Sequence, residues 1–208
     1  MEKEKYIQDL ADIKDMMEKS SRFISLSGLS GVLAGTFALI GAYLAWGVLY
    51  NFDAYFSRAF VTYLPKIVLF KLIMIGAGVL FLSIAAGMFF TQKMARKHGR
   101  QIWDETTKRL LLHLFIPLAT GGIFLSILLF KGFVAIVAPG TLVFYGLALI
   151  NASKYTLRDI QYLGISEIII GLIATYFIGY GLFFWAFGFG VLHIIYGIVM
   201  YLKYEKGQ

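Results

Sequence analysis

The strongest constraint in this sequence is a long uncharged stretch near its C-terminal end. Between Glu167 and Lys203 the chain contains no Asp, Glu, Lys or Arg. A single helix of that length would extend well beyond the hydrocarbon core of a bilayer, which is about 30 Å thick. Glycines flank the aromatic segment 183–185, and glycine allows a tight chain reversal. The stretch therefore predicts a transmembrane hairpin with helices over 165–182 and 186–202.

The composition of the whole chain agrees with a membrane protein. Hydrophobic residues make up 59% of the 208 residues, and charged residues make up only 15%, which is well below the share in soluble domains. There is no cysteine, which excludes a disulfide framework, a thiolate metal site and a cysteine nucleophile. The net charge is +7, but the basic residues lie in short segments between apolar runs. They indicate membrane topology, and no contact with nucleic acid is expected.

Apolar runs and their polar boundaries predict an all-α membrane protein. Its six-transmembrane-helix bundle is expected over 23–203, followed by a cytoplasmic tail over 204–208. The predicted spans cover 23–49, 67–90, 110–130, 133–150, 165–182 and 186–202. On the first span, small residues recur at steps of four: Ser27, Gly31 and Gly35. This pattern predicts a close contact with another helix.

The N-terminal segment, 1–22, is predicted to form a short cytoplasmic amphipathic helix. Its apolar residues recur at steps of four, three and four and share one face: Tyr6, Leu10, Ile13 and Met17. We expect this face to contact the membrane or the bundle. The alternatives are a second copy of the chain, in a homo-oligomer, or a cytoplasmic protein partner. The first residues are acidic as well as basic and no cleavage site follows, so no signal peptide is expected.

The distribution of basic residues predicts the orientation. Of the 19 Lys and Arg residues, Lys71 lies inside a predicted span and three lie on one side, which leaves 15 for the other side. Those three are Arg58, Lys66 and Lys131. Because basic residues concentrate on the cytoplasmic side, both termini are expected in the cytoplasm. We therefore expect a multi-pass protein of the bacterial inner membrane, surrounded by the lipid bilayer.

Polar groups at membrane depth are costly and are therefore candidates for function. His113 and Glu167 are expected at similar depth on spans three and five, where a pair could hold or relay a proton. Asn151 and the basic residues of 152–158 are further candidate partners of Glu167. The alternative is that His113 and Glu167 meet headgroups or neighbouring backbone. Glu167 would then be a first-turn acid that the helix dipole stabilises.

His193 is a further candidate for a ligand or proton site. It shares a helix face with three small residues: Ala186, Gly190 and Gly197. A histidine on such a face is expected to form a hydrogen bond across a helix–helix contact.

The segment 28–31, Gly-Leu-Ser-Gly, resembles the G-x-S-G segment of rhomboid intramembrane proteases. Those proteases also have six core helices and a histidine on a later helix. The resemblance implies a catalytic dyad of Ser30 and His193. This chain departs from the rhomboid pattern in two ways. Its serine lies on the first span, and glycine follows the histidine after four residues instead of three.

Three longer segments carry a broader resemblance. They are SSRFISLSGLSG at 20–31, NASKYTLR at 151–158 and FWAFGFGVLH at 184–193. These segments are similar to a family of small uncharacterised bacterial six-helix integral membrane proteins. The resemblance implies a fold and a location, and it implies no activity.

The sequence lacks the zincin, P-loop and dinucleotide-binding patterns of soluble enzymes. We therefore expect a non-enzymatic membrane component that responds to a small molecule or lipid, or that binds a protein partner. No metal or cofactor is expected. One alternative is a small transporter with a polar path near His113 and Glu167. The other is an intramembrane hydrolase that uses Ser30 and His193.

Overall fold

The computed structural model describes residue 6 and the ranges 27–50, 64–97 and 103–206. Within these ranges the chain forms helices and no β-strand. The helices are α1 (Gly28–Leu49), α2 (Lys66–Lys97), α3 (Glu105–Phe130), α4 (Val134–Ala152), α5 (Asp159–Tyr176) and α6 (Gly181–Tyr204). A short 3₁₀ turn, Ser153–Tyr155, follows α4. The predicted N-terminal helix lies outside the described residues except for Tyr6.

Five of these helices are long and apolar enough to cross a membrane, namely α1, α2, α3, α4 and α6. The remaining helix, α5, has 18 residues and includes Asp159 and Glu167. Large apolar side chains cover the outside of α2 and α3, where Phe81 is 72% exposed and Phe115 is 66% exposed. Such surfaces are unfavourable in water and match the hydrocarbon core of a bilayer. The described part of the chain is therefore all-helical, and five of its helices have the length and surface to cross a membrane.

The observed helices extend beyond the predicted spans. α2 continues to Lys97, and α3 begins at Glu105. α5 begins at Asp159, six residues before the predicted start at 165. Apolar runs show only which part of a helix lies in hydrocarbon, because polar residues can continue the helix outside it.

The last chain reversal lies at 177–180, between α5 and α6, and not at the predicted 183–185. Gly179 has a φ of 92°. Residues with a Cβ atom rarely adopt this angle, so Gly179 determines the position of the turn. Gly188 and Gly190, which we expected to flank the reversal, lie inside α6.

α6 changes its hydrogen-bond pattern in the middle. Gly181–Trp185 and His193–Tyr204 are α-helical, whereas Ala186–Leu192 forms a π-helix. Short π segments inside α-helices are uncommon and occur frequently at functional sites. This π-helical segment ends immediately before His193.

α1 and α6 approach closely through small residues. A Cβ atom on Gly31 would lie 3.2 Å from Cα of Gly197. A Cβ atom on Gly35 would lie 2.5 Å from the carbonyl oxygen of Gly190. The close contact predicted from the small residues of the first span is therefore confirmed.

α3 has a polar N-terminal cap. Oδ1 of Asp104 accepts hydrogen bonds from the backbone N–H and the hydroxyl of Thr107, both at 2.7 Å. Slight burial raises the pKa of Asp104, but the hydrogen bonds from Thr107 outweigh this effect and hold the pKa below its usual value. The cap begins α3 outside its apolar part.

The helices leave a groove between two parts of the bundle. α2 packs along α1, which also packs along α6, while α3 and α5 both pack along α4. Among the described residues, α2 and α3 make no extensive contact with each other. The groove lies between them, and residues of α4 and α6 contribute to its lining.

Candidate functional site

Glu167 is a fully buried carboxylate on α5, with 0% of its surface exposed. It lies eight residues after Asp159, which is about 12 Å along the helix axis. Its Oε1 atom is 3.4 Å from Nδ1 of His193 on α6. Neither oxygen of Glu167 accepts a hydrogen bond from the described part of the chain. Since buried polar groups are almost always hydrogen-bonded, this carboxylate is an unusual feature.

His193 connects Glu167 to a tyrosine hydroxyl. Its Nδ1 atom is 3.1 Å from the carbonyl oxygen of Gly188, and its Nε2 atom is 2.9 Å from the hydroxyl of Tyr145. Because a carbonyl oxygen can only accept, the hydrogen of the first bond lies on Nδ1. In the neutral imidazole, Nε2 then accepts the hydrogen of Tyr145. One imidazole ring thus lies between a tyrosine hydroxyl and a buried carboxyl group.

The absence of a side chain at Gly188 makes room for the carboxylate. A Cβ atom at this position would lie 2.5 Å from Oε2 of Glu167 and 2.6 Å from Cδ2 of Leu142. Leu142 is itself fully buried, so it has little space to move away. Gly188 belongs to the π-helical segment, whose path also brings its carbonyl oxygen to His193. The irregular part of α6 therefore shapes the polar site.

Tyr145 and His193 line a cavity of about 490 Å³ in the groove. The other hydroxyl-bearing residues of its lining are Ser83 and Thr141. The hydroxyl of Thr141 donates to the carbonyl oxygen of Ala138 at 2.7 Å, so its oxygen remains free to accept. The rest of the lining is apolar or aromatic. The cavity is thus mostly hydrophobic, with a small polar region on α4 and α6 and a further hydroxyl, that of Ser83, on α2.

Aromatic rings surround this polar region. The ring centroids of Tyr145 and Phe189 are 5.0 Å apart, and those of Trp185 and Phe189 are 5.1 Å apart. The Phe189 ring also stacks on His193 at 5.9 Å. Phe144 lines the same cavity. The faces of such rings carry partial negative charge.

A second cavity of about 250 Å³ adjoins the first. Gly76, Thr141 and Trp185 line both, so the two cavities are direct neighbours in the groove. The second cavity extends to Leu49 and Leu129, at the far end of α1 and α3, and its lining is almost entirely apolar. Trp185 therefore lies between a mixed aromatic and polar half and an apolar half.

His113 belongs to a different cluster, near the start of α3. Its Nε2 atom is 3.0 Å from the hydroxyl of Tyr155, and the two rings stack with centroids 4.9 Å apart. The amide of Asn151 donates to the carbonyl oxygen of His113 at 3.1 Å. The predicted pair of His113 and Glu167 is therefore not formed. Glu167 is buried as expected, but its neighbour is His193.

The structure also corrects two further expectations for Glu167. The first-turn acid of α5 is Asp159, which accepts a hydrogen bond from Nζ of Lys203 at 2.9 Å. No described residue of 152–158 forms a hydrogen bond with Glu167. Its position deep in the bundle follows from the early start of α5.

Ser30 is engaged away from His193. Its hydroxyl donates to the carbonyl oxygen of Ser27 at 2.6 Å. Both ring nitrogens of His193 have other partners, Tyr145 and Gly188. Among the described residues, no contact brings Ser30 and His193 together as a dyad.

The sequence predictions missed Tyr145 and Gly188. Tyr145 carries a polar hydroxyl in the middle of the apolar helix α4, and a polar group at that depth is a signal that could have identified it. Gly188 has no comparable signal, because several glycines occur in the same segment. Within the described ranges, no three His, Asp or Glu side chains form a group that could hold a metal ion.

No protein-family model matches this chain, and no curated protein or solved structure shows significant similarity to it.

Proposed function

We propose that this chain is a six-span protein of the bacterial inner membrane that binds a lipid-like small molecule in the groove between α2 and α3. The observation that supports the proposal is the groove. Its larger cavity has about 490 Å³ and is mostly apolar, with Tyr145 and His193 in its polar region. Small-molecule sites typically have about 300–1,000 Å³, hydrophobic and aromatic linings and a few polar groups.

The packing of the helices suits a ligand that arrives from the bilayer. α2 and α3 make no extensive mutual contact within the described ranges, so the groove is open between them. Both helices expose apolar side chains on their outer surfaces, such as Phe81 and Phe115. A molecule dissolved in the membrane would enter sideways and would keep its alkyl chain out of water.

The proposed six-span topology counts α5 as a span in addition to the five long apolar helices. Its 18 residues correspond to about 27 Å, close to the thickness of the hydrocarbon core. Its Glu167 is buried inside the protein and therefore does not face lipid. With both termini in the cytoplasm, reporter fusions at Arg100 and Gln208 should both give cytoplasmic signals. A periplasmic signal from either position would contradict the six-span topology.

Trp185 allows ligand binding to be measured directly, because it lines both cavities. The chain has three tryptophans, and Trp46→Phe with Trp103→Phe leaves Trp185 as the only one. We expect a brominated long-chain alcohol to quench Trp185 fluorescence saturably in lipid nanodiscs, because bromine quenches indole only at close range.

Two glycines provide a matched test of where the ligand binds. A Cβ atom at Gly122 or at Gly87 would have no heavy atom within 4 Å, so both positions accept a larger side chain. Gly122 lines the groove and Gly87 does not. Gly122→Leu should abolish saturable quenching, whereas Gly87→Leu should preserve it. Equal quenching in the two variants would contradict binding in the groove.

A further inference from the structure

We propose that the groove selects a cationic amphiphile, such as a long-chain amine or quaternary ammonium. Its positive head would lie beside Tyr145, and Glu167 would supply the compensating negative charge from behind His193. This inference rests on the proposed binding function and adds the chemical class of the ligand head group.

The polar region of the groove presents hydrogen-bond acceptors. Tyr145 donates its hydrogen to Nε2 of His193, so lone pairs of its oxygen remain for a ligand. Thr141 donates to Ala138 and also keeps its oxygen as an acceptor. Among the described lining residues there is no Lys or Arg. At Tyr145 and Thr141 a carboxylate or phosphate head would therefore meet lone pairs, whereas an ammonium head would find acceptors.

Glu167 places a buried carboxyl group on this side of the groove, behind His193. Its oxygens accept no hydrogen bond within the described structure, and Oε1 lies 3.4 Å from Nδ1 of His193, whose hydrogen is donated to Gly188. A buried charge without a countercharge is unfavourable. Because electrostatic interactions extend over several ångströms in a medium of low dielectric constant, a cation beside Tyr145 would favour the ionised form of Glu167 and would be stabilised by it in turn. The imidazole of His193 lies between the two charges.

The aromatic rings favour the same kind of head group. Tyr145, Phe189 and Trp185 form a continuous cluster with centroid separations of 5.0 and 5.1 Å. A cation within about 6 Å of such ring centroids is attracted to their faces, even when it carries no N–H group. The apolar cavity beyond Trp185 then offers space for an alkyl chain.

Three ligands with the same alkyl chain and different head groups isolate the contribution of the head-group charge. We suggest titrating the protein that retains only Trp185 with dodecyltrimethylammonium, dodecanol and dodecanoate in nanodiscs, with fluorescence as the readout. The cation should bind about ten-fold more tightly than the alcohol, and the carboxylate should bind most weakly. In Glu167→Gln the affinity ratio of cation to alcohol should fall about ten-fold. Glu105→Gln, which changes an exposed carboxylate outside the groove, should leave that ratio unchanged.

A second variant keeps the inference testable if Glu167→Gln does not fold. Tyr145→Phe removes the hydroxyl and retains the ring. It should weaken dodecylammonium, which donates N–H bonds, about five-fold more than dodecyltrimethylammonium, which has none. Equal losses for the two cations would overturn the assignment of Tyr145 as the acceptor of the head group.

The outcomes distinguish this inference from the proposed function. If none of the ligands binds, both are wrong. If all three bind with similar affinity, or if Glu167→Gln keeps the wild-type ratio, the groove binds an amphiphile and the preference for a cation is overturned.

Discussion

Two histidines of this bundle make the same hydrogen bond in different surroundings. Nε2 of His113 lies 3.0 Å from the hydroxyl of Tyr155, and Nε2 of His193 lies 2.9 Å from that of Tyr145. His113 is half-buried near a helix end, whereas His193 is only 8% exposed. His193 also faces Glu167, and His113 has no carboxylate partner among the described residues. The tyrosine bond alone therefore does not mark a site; the buried carboxylate and the adjoining cavity do.

Replacing each histidine by phenylalanine should separate the two environments most strongly. His193→Phe leaves the buried Glu167 without its neighbour and Tyr145 without an acceptor, which should lower the free energy of unfolding by about 2–3 kcal/mol. His113→Phe retains a ring in a half-exposed contact and should cost about 1 kcal/mol or less. Unfolding in SDS, followed by tryptophan fluorescence, measures both. Equal losses would mean that the two clusters have the same structural role.

Filling the space at Gly188 should disrupt the packing of Glu167 beside His193, the feature that distinguishes His193 from His113. In Gly188→Ala the added methyl group would meet Glu167 and Leu142, which should cost about 1–3 kcal/mol of unfolding free energy. Gly47→Ala is the matched control, because a Cβ atom at Gly47 has no heavy atom within 4 Å. Its unfolding midpoint should stay near that of the wild type. A similar loss in both variants would show that the space beside Glu167 is not needed.

Replacing Glu167 by the uncharged Gln should instead stabilise the protein. Glu167→Gln keeps the shape of the side chain and removes the cost of burying an ionisable group that accepts no hydrogen bond from the described residues. The free energy of unfolding should therefore rise by about 1–2 kcal/mol in the absence of ligand. Thermal unfolding in detergent provides the measurement. A lower melting temperature would indicate a strong ion pair with His193, and would contradict the interpretation of Glu167 as a buried acid without a stabilising partner.

The smallest effect is expected at the cap of α3, the helix that carries His113. Asp104→Ala removes two hydrogen bonds to Thr107 and should cost about 1 kcal/mol at neutral pH. Because these bonds lower the pKa of Asp104 in the folded protein, its contribution is complete above the unfolded pKa of about 3.9. The contribution disappears as the pH falls through the folded pKa. The difference between wild type and variant should therefore vanish in strong acid, and a constant difference would refute the cap.

Much of the architecture could be predicted, because hydrophobic length is a strong physical signal. Apolar runs as long as a bilayer is thick predict helices, and five helices of that kind are present in the described chain. The turn between α3 and α4 falls where it was expected, at Lys131 and Gly132, and Gly132 has a φ of 89°. Small residues at steps of four also predict a close contact of the first span with another helix, and the structure shows that this helix is α6.

The pairing of Glu167 could not be predicted, because it depends on where a helix begins. The charged residues around Asp159 fall between the predicted spans 133–150 and 165–182, whereas the helix begins at Asp159, six residues before the predicted start. An error of six residues corresponds to about 9 Å along the helix axis. This shift in the expected depth of Glu167 changes its expected neighbour from His193 to His113. Asp159 is accommodated at the start of α5 by Lys203, a contact between distant parts of the chain that local sequence does not reveal.

The surroundings of His193 depend on a second feature that the sequence does not reveal, namely the role of Gly188 and Gly190 in helix packing. Gly188 and Gly190 predicted a chain reversal, since glycine is common in turns. In the structure they instead allow close contacts, Gly188 with Glu167 and Gly190 with Gly35 and Leu39. Both roles require glycine, and only the three-dimensional packing distinguishes them.

The π-helical segment of α6 also has a geometric consequence for the bundle. Each residue of an α-helix rotates the chain by about 100° around the axis, so an uninterrupted helix fixes the angle between its two ends. The wider turn over Ala186–Leu192 changes that angle. The first turn of α6 packs against α4, and the part after the segment packs along α1. The offset in helical phase allows one helix to join both halves of the bundle, and His193 lies where α6 passes from one neighbour to the other.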